Sequence, residues 1–433
     1  MIPRLALVGL GWHARRIHYP WLERAVGEGR ARLVAVIERP EALAGVEAWL
    51  AGRALRPERL LAVGGEVGEL FDALRAGPGL DAVLVASEAG AHLPAVLQAA
   101  ERGIDVLVDK PLCAPVGEVD VGGALLRAHG AALAAQGRGG GRVVVLAQRR
   151  AHPAYLGMRA ELASVCARFG LPVTALRVSH SDGMWPMPWE WDRDHHPYRH
   201  GAGKLLHSGY HFVDLVPWLL GEGASGRLAV AVMEAGPADI DARSAGARAD
   251  LPGPPGGPPV RLAHPGEVDL CATARLSREG RVQSLVQLEL LQGGVSARAT
   301  RAPALDPYKG SGRVRHEEIA VHAGPLLHMV LSSHQGGGPL AASGPGHEDH
   351  LELRLFRHPL LEGPAVEVRE LSAPRHNEAA RERMLEDFLA GGECGSPLAD
   401  HGRTTELLAA LFRARDAGRR GEAPIAEVEW GGR

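Results

Sequence analysis

The apolar run Leu5-Ala6-Leu7-Val8 ends directly in Gly9-Leu10-Gly11-Trp12-His13-Ala14, and from Arg15 to Ala25 the chain reads as helix. A strand, a G-x-G-x-x-A turn and a helix in that order form the entry to a dinucleotide-binding unit. Gly9 permits the tight turn, Gly11 lets a pyrophosphate approach the backbone, and Ala14 allows the helix to lie close on the strand. The N–H groups at the helix start are donors for phosphate. A second apolar run, Leu33-Val34-Ala35-Val36-Ile37, ends at Glu38, where a carboxylate accepts hydrogen bonds from adenosine ribose hydroxyls; this favours NAD. Arg39 beside it suits a 2′-phosphate or stacks on adenine, so NADP stays open.

The alternation continues. Residues 45–76 read as mostly helical with a glycine break at Gly64-Gly65, Asp81–Ala86 as a strand, and Leu93–Arg102 as a helix. Ser87 at that strand end and His92 at that helix start are candidate cofactor contacts, His92 with a structural role as its alternative. Val106-Leu107-Val108 is the next buried strand, stopped by Asp109-Lys110-Pro111. Then come a helix over Gly117–His129, a glycine linker at Gly137–Gly141 and a strand over Arg142–Ala147. Short strands alternating with helices specify a doubly wound parallel sheet, whose ligands bind beyond the carboxyl ends of the strands. Lys110 stands at such an end.

A chain of 433 residues exceeds one ordinary core and is read as two domains, residues 1–149 and 150–433. With 48 basic and 51 acidic side chains, the formal charge of -3 offers no electrostatic attraction to nucleic acid or an anionic membrane. The expected partner is a small molecule. Cys113, Cys166, Cys271 and Cys394 lie far apart without a C-x-x-C pair, and read as reduced thiols of a cytoplasmic protein. The apolar start is short and interrupted by Arg4, and no apolar run approaches the roughly 20 residues that span a bilayer.

The second half opens with a strand over Val173–Ser181. Trp185, Trp189 and Trp191 fall within seven residues, next to His195, His196, Tyr198 and His200. Aromatics among polar groups suit stacking on the apolar face of a sugar or cyclitol, so these tryptophans are candidate substrate contacts; burial against a sheet or a second subunit is the alternative. In Gly201-Ala202-Gly203-Lys204-Leu205-Leu206-His207-Ser208-Gly209-Tyr210-His211-Phe212-Val213-Asp214, a helix from about Leu205 puts His207, His211 and Asp214 on one face. That set suits proton transfer, with zinc ligation as a less favoured reading. Pro217 bends this helix or marks its last turns, and Gly221 ends it. Residues 236–266, with six glycines and seven prolines, read as an insertion. Strands are expected at Leu228–Met233, Val268–Leu276, Val282–Leu291, Glu317–Val321, Leu351–Phe356 and Ala365–Leu371, and helices at Asn377–Ala390 and Gly402–Ala417. The histidines between His316 and His358 are scattered without ligand spacing and are assigned no role.

The order Gly9 to Ala14, Arg16-Ile17-His18, His92, Asp109-Lys110-Pro111, Gln148-Arg149-Arg150 and His152-Pro153 resembles the family of glucose-fructose oxidoreductase, inositol dehydrogenase and MocA-like proteins. Asp109-Lys110-Pro111 is similar to that family's E-K-P motif, and the Gly201 to Asp214 segment to its G-G-G-x-x-x-D-x-G-x-H-x-x-D signature. The resemblance implies a Rossmann domain followed by an α+β domain with a large, mainly antiparallel sheet through which subunits pair as a homo-oligomer. It implies a hydride transfer between a nicotinamide cofactor and a secondary alcohol or ketone of a sugar, cyclitol or derivative. Lys110 would contact the nicotinamide ribose and substrate, His211 would serve as general acid/base, and Arg149 would lie at the substrate. One departure bears on activity: His207 stands where the family has aspartate, and a second imidazole resists double protonation of the pair. A dinucleotide-binding sensor without chemistry, or an NAD-recycling lyase or glycoside-cleaving enzyme, are the alternatives.

Overall fold

The computed structural model describes residues 2–115, 117–183, 203–236, 239, 266–293, 314–336, 350–371 and 376–431. The tryptophan-rich segment and almost all of the glycine- and proline-rich segment, with their expected roles, lie outside these residues. The chain divides into two compact units. One comprises residues 1–114, 125–151 and 378–402; the other comprises 115–124, 152–377 and 403–433.

The first unit is built on β1 (Arg4–Val8), β2 (Arg32–Glu38), β3 (Arg59–Ala62), β4 (Ala82–Val85), β5 (Asp105–Asp109) and β6 (Val143–Leu146), all parallel, in the order β3-β2-β1-β4-β5-β6. Strands β1, β2, β4 and β6 are near-continuous apolar runs, buried on both faces, as a sheet covered by crossover helices requires. The strand order reverses between β1 and β4, which is the switch point where open α/β sheets take ligands. The doubly wound fold expected from the alternation is therefore present.

Several elements differ from expectation. The first helix breaks at Ile17 into α1 (Trp12–Arg16) and α2 (His18–Gly27). Within residues 45–76, α3 (Leu43–Ala51) and α4 (Val67–Ala76) flank the strand β3, whose three-residue apolar stretch Leu60-Leu61-Ala62 is too short to show a period. After α5 (His92–Glu101), α6 (Val121–Gly139) runs through the first part of the expected glycine linker. Those glycines serve close packing. A Cβ on Gly139 would lie 1.9 Å from the Ala100 carbonyl oxygen, and one on Gly141 2.4 Å from that of Ile104.

The second unit holds β7 (Ala175–Ser181), β8 (Gly226–Ala235), β9 (Asp269–Arg278), β10 (Arg281–Leu291), β11 (Val314–Ala323), β12 (Leu327–Gly336), β13 (His350–Arg357), β14 (Val366–Glu370) and β15 (Ile425–Trp430). They form one sheet in the order β14-β13-β12-β11-β7-β10-β9-β8-β15, antiparallel except where β7 and β10 pair in parallel. Alternation is clear: Val286, Leu288 and Leu290 are buried while Leu285, Gln287 and Glu289 face out. Helices α7 (Pro153–Phe169) and α8 (Tyr210–Leu220) belong to this unit. Glu279 and Gly280, at φ of 52° and 75°, make the β9–β10 hairpin turn. Strand β12 escapes sequence pattern because His328, Ser332 and His334 occupy its outward positions and the inward Ser333 interrupts the apolar ones. Strand β15 escapes it as a sheet edge buried only at Trp430. The four cysteines are free thiols.

Helix α9 (His376–Leu389) closes the first unit from far down the sequence, and α10 (Gly402–Arg419) follows. Met384, Leu385 and Phe388 enter the same apolar cluster as Leu5, Leu7 and Leu33, and the Trp21 indole N–H donates to Glu386 at 2.7 Å. Phe388→Ala is expected to destabilise the N-terminal unit by about 3–5 kcal/mol, measured by denaturant unfolding, although it lies some 240 residues beyond β6.

Candidate active site

Gly9 leaves β1 at φ of 89°, and a Cβ there would lie 2.4 Å from the Ser87 Cα. The loops after β1 and β4 thus touch backbone to backbone at the switch point, which only glycine allows. Gly11 has ordinary φ, and a Cβ on it would meet nothing within 4 Å. That open face is where a pyrophosphate fits. The Leu10 N–H donates to Glu38 Oε1 at 2.5 Å and the Arg39 N–H to Glu38 Oε2 at 3.1 Å, so Glu38 ties the glycine loop to the end of β2. Ser87 Oγ is buried without a hydrogen-bond partner among the described residues. An open glycine cradle, an orphaned hydroxyl and a carboxylate at the second strand end together fit a dinucleotide. Ala14 is buried beneath the loop. Trp12 is exposed with the Arg16 guanidinium 5.5 Å from its ring, and Arg39 is exposed near Glu41.

At the end of β5, Asp109 is held by histidines from the glycine-loop side. His18, fully buried, places Nε2 2.9 Å from Asp109 Oδ2, and His13 Nε2 lies 3.8 Å from the same oxygen. Burial pushes the Asp109 carboxyl upward, but the neighbouring His18 and His13 outweigh it and hold the group well below the usual carboxylate range. His18 and Asp109 lie within the family-like motifs without a role of their own there, and the local signal for Asp109 is that it adjoins Lys110. Lys110 is half-buried, and its peptide bond to Pro111 is cis.

His92 is buried with Nδ1 2.9 Å from the Pro111 carbonyl oxygen and Nε2 2.9 Å from that of Ser87. It therefore joins the two strand-end loops, β4 to β5, that carry Ser87 and Lys110. A neutral ring donates to only one of the two carbonyls. Burial pushes its pKa down, opposed by those carbonyls and Asp109.

Arg149 is buried in the 3-10 turn Gln148–Ala151. The adjoining Gln148 Oε1 accepts from Arg381 of α9 at 3.1 and 3.3 Å. Arg381 went unnoticed in the sequence because nothing local links residues 148 and 381.

In the second unit the expected helix from Leu205 starts only at Tyr210, and 204–209 form turns. The reason is Lys204. Its fully buried ammonium donates to Asp182 Oδ2 at 2.8 Å and to the Leu291 carbonyl at 2.7 Å, while Ser208 Oγ donates to the same carboxylate. The Gly209 N–H turns back to the Lys204 carbonyl at 2.9 Å. His207 therefore stands on the turn and His211 on the first helical turn, with the Nδ1 atoms of both buried. The Asp214 carboxylate accepts from Thr404 Oγ1 at 2.8 Å. His207 therefore leaves the expected helical face while His211 and Asp214 stay one turn apart on it, and the three do not form a converging ligand group among the described residues.

Residues 3–136 match the profile of an oxidoreductase family with an NAD-binding Rossmann fold, the family that the motifs resemble. No curated protein matches the chain in sequence. Among solved structures, the chain is similar to aldose-aldose oxidoreductase from Caulobacter crescentus complexed with glycerol, at 18% identity and a TM-score of 0.61, covering 99% of this chain and 100% of that one. It is similar to an oxidoreductase from Agrobacterium radiobacter in complex with NAD+, L-tartaric acid and magnesium, at 17% identity, a TM-score of 0.59 and coverage of 99% and 98%. A super-repressor mutant of Gal80p from Saccharomyces cerevisiae shares the fold at 14% identity, a TM-score of 0.62 and coverage of 99% and 98%. Both sheets agree with this fold. No helix among the described residues is long and apolar enough to cross a membrane.

Two outcomes are expected. Gly9→Ala loses both stability and NAD binding, whereas Gly11→Ala keeps its melting temperature and loses NAD affinity alone, which thermal melts and cofactor titration separate. Below about pH 6.5 an unfolded histidine takes up a proton that folded His92 resists, so its contribution to stability is present above that pH and lost as pH falls. Unfolding free energy of His92→Gln should accordingly fall less steeply with decreasing pH, by at most about 1.4 kcal/mol per pH unit.

Proposed function

Proceeding from residues 3–136 as a member of the oxidoreductase family with an NAD-binding Rossmann fold, we propose that the protein oxidises a secondary alcohol of a sugar, cyclitol or sugar derivative, or reduces the corresponding ketone. NAD, favoured by the carboxylate of Glu38, would be held at the glycine loop and would supply the hydride acceptor or donor. The observation that carries this reading is the clamp on Asp109-Lys110-Pro111 at the end of β5. His18 holds the carboxylate on one side of Lys110, and His92 reaches the carbonyl of Pro111 on the other. A lysine fixed at both neighbours is preorganised to polarise a carbinol oxygen, and electrostatic preorganisation of this kind is a large share of enzymatic rate enhancement.

In the oxidation direction the substrate hydroxyl proton passes to His211, the carbinol carbon gives up hydride, and the carbon–oxygen bond becomes a carbonyl; Lys110 stabilises the developing oxyanion. His207 orients His211 or passes its proton outward. Arg149, Trp185, Trp189 and Trp191 are assigned to the substrate, and Trp12, His13, Ser87 and Arg39 to the cofactor. A homo-oligomer through the nine-stranded sheet belongs to this reading, supported by the outward apolar side chains Met233, Leu285, Val366 and Val368.

A second reading rests on His207. Its replacement of the family's aspartate favours a dinucleotide-binding sensor, and the Gal80p repressor shares the fold. Single-turnover absorbance of the nicotinamide with a panel of polyols and sugars decides between the two. The enzyme reading expects an absorbance change that Lys110→Met reduces by about 10²-fold or more with NAD affinity nearly intact. A sensor binds NAD and gives no change at any pH.

A further inference from the structure

Sheet register lines up residues that sequence spacing keeps apart. On the outward face of the nine-stranded sheet, Ser181 of β7 lies opposite His316 of β11, His316 opposite His334 of β12, and His334 opposite His350 of β13. One pleat along, a second row runs Glu289, Ser179, Glu318, Ser332, Glu352 and Glu370 across β10, β7, β11, β12, β13 and β14. The structure thus sets a row of imidazoles beside a row rich in carboxylates, and the two meet at β13 and β14.

The geometry there is specific. His350 Nδ1 lies 3.4 Å from Glu370 Oε1, and one ligand atom from each of His350, Glu352 and Glu370 falls within 4.8 Å of the others. The ring of His334 is 6.3 Å from that of His350, and that of His316 4.4 Å from His334. Glu352 and Glu370 are directly opposed like charges, a cross-strand pair that repels unless a cation lies between them. Arg354 Nε donates to Glu352 Oε1. Imidazole nitrogen with carboxylate oxygen is the donor set of zinc, which takes four such ligands at about 2.0–2.2 Å.

We infer that His350, Glu352 and Glu370 bind a zinc ion on the outward face of the sheet, with His334 as the imidazole next to them. On this inference His350, and His334 beside it, gain a role that the sequence did not assign to them. The other converging group among the described residues, His13, His18 and Asp109, is a poorer choice. Lys110 and Arg381 add positive charge around His13, which opposes a divalent cation.

The test uses the full chain, stripped with a chelator and titrated with zinc chloride in a calorimeter, with metal content counted after dialysis. One zinc per chain is expected, with affinity at least tenfold weaker in His350→Ala and in Glu370→Gln. Zinc should raise the melting temperature of the parent chain and not that of either variant. Zinc-free melting temperatures of both variants are measured alongside, so that loss of zinc binding is read only in chains that fold like the parent. Absence of uptake at tens of micromolar zinc, or uptake undiminished in both variants, overturns the assignment.

Discussion

The contact between Gly9 and the backbone of Ser87 is the constraint on which the N-terminal unit depends. With strands β1 and β4 adjacent and parallel, their exit loops must pass one another at the switch point, and no side chain fits at the crossing. Around that crossing lie the open backbone at Gly11, the buried hydroxyl of Ser87 and the carboxylate of Glu38, which accepts from the Leu10 N–H. The same close approach recurs at Gly139 and Gly141, where glycines that resemble a flexible linker are instead pressed against carbonyl oxygens.

Several buried carboxylates among the described residues are each met by a hydrogen-bond donor. Asp109 meets His18, Asp182 meets Lys204 and Ser208, Asp214 meets Thr404, and Glu267 meets Arg415. Leaving any of these carboxylates unpaired would cost several kcal/mol, so each pair fixes the backbone that carries it. The consequence for chemistry is rigidity. Lys110 follows a clamped aspartate, and His207 and His211 stand on a turn and a helix start set by Lys204. That buried lysine also explains why the helix begins at Tyr210: its ammonium is drawn to Asp182 and Leu291, and the chain turns before it can wind.

Much of the architecture was legible in order along the chain. The glycine fingerprint, Glu38 and Asp109-Lys110-Pro111 are local signals, because a turn, a strand end and a proline stop depend on nearest neighbours. Less legible were the edge strands β3 and β15 and the strand β12, where short length, exposure or outward histidines blur the period. His18 against Asp109 spans 91 residues, and Arg381 against Gln148 spans 233. Neither partner carries a mark of the other.

By itself the sequence determined the doubly wound unit, its cofactor loop and the alternating strands of the second sheet, since local sterics and the periods of helix and strand are written residue by residue. Tertiary structure decided which carboxylate each buried cation meets, the return of α9 to the first unit's core, and the alignment of His316, His334 and His350 across three strands. Register does this: pairing between strands sets residues side by side whatever their distance along the chain, and that information appears only when the sheet forms.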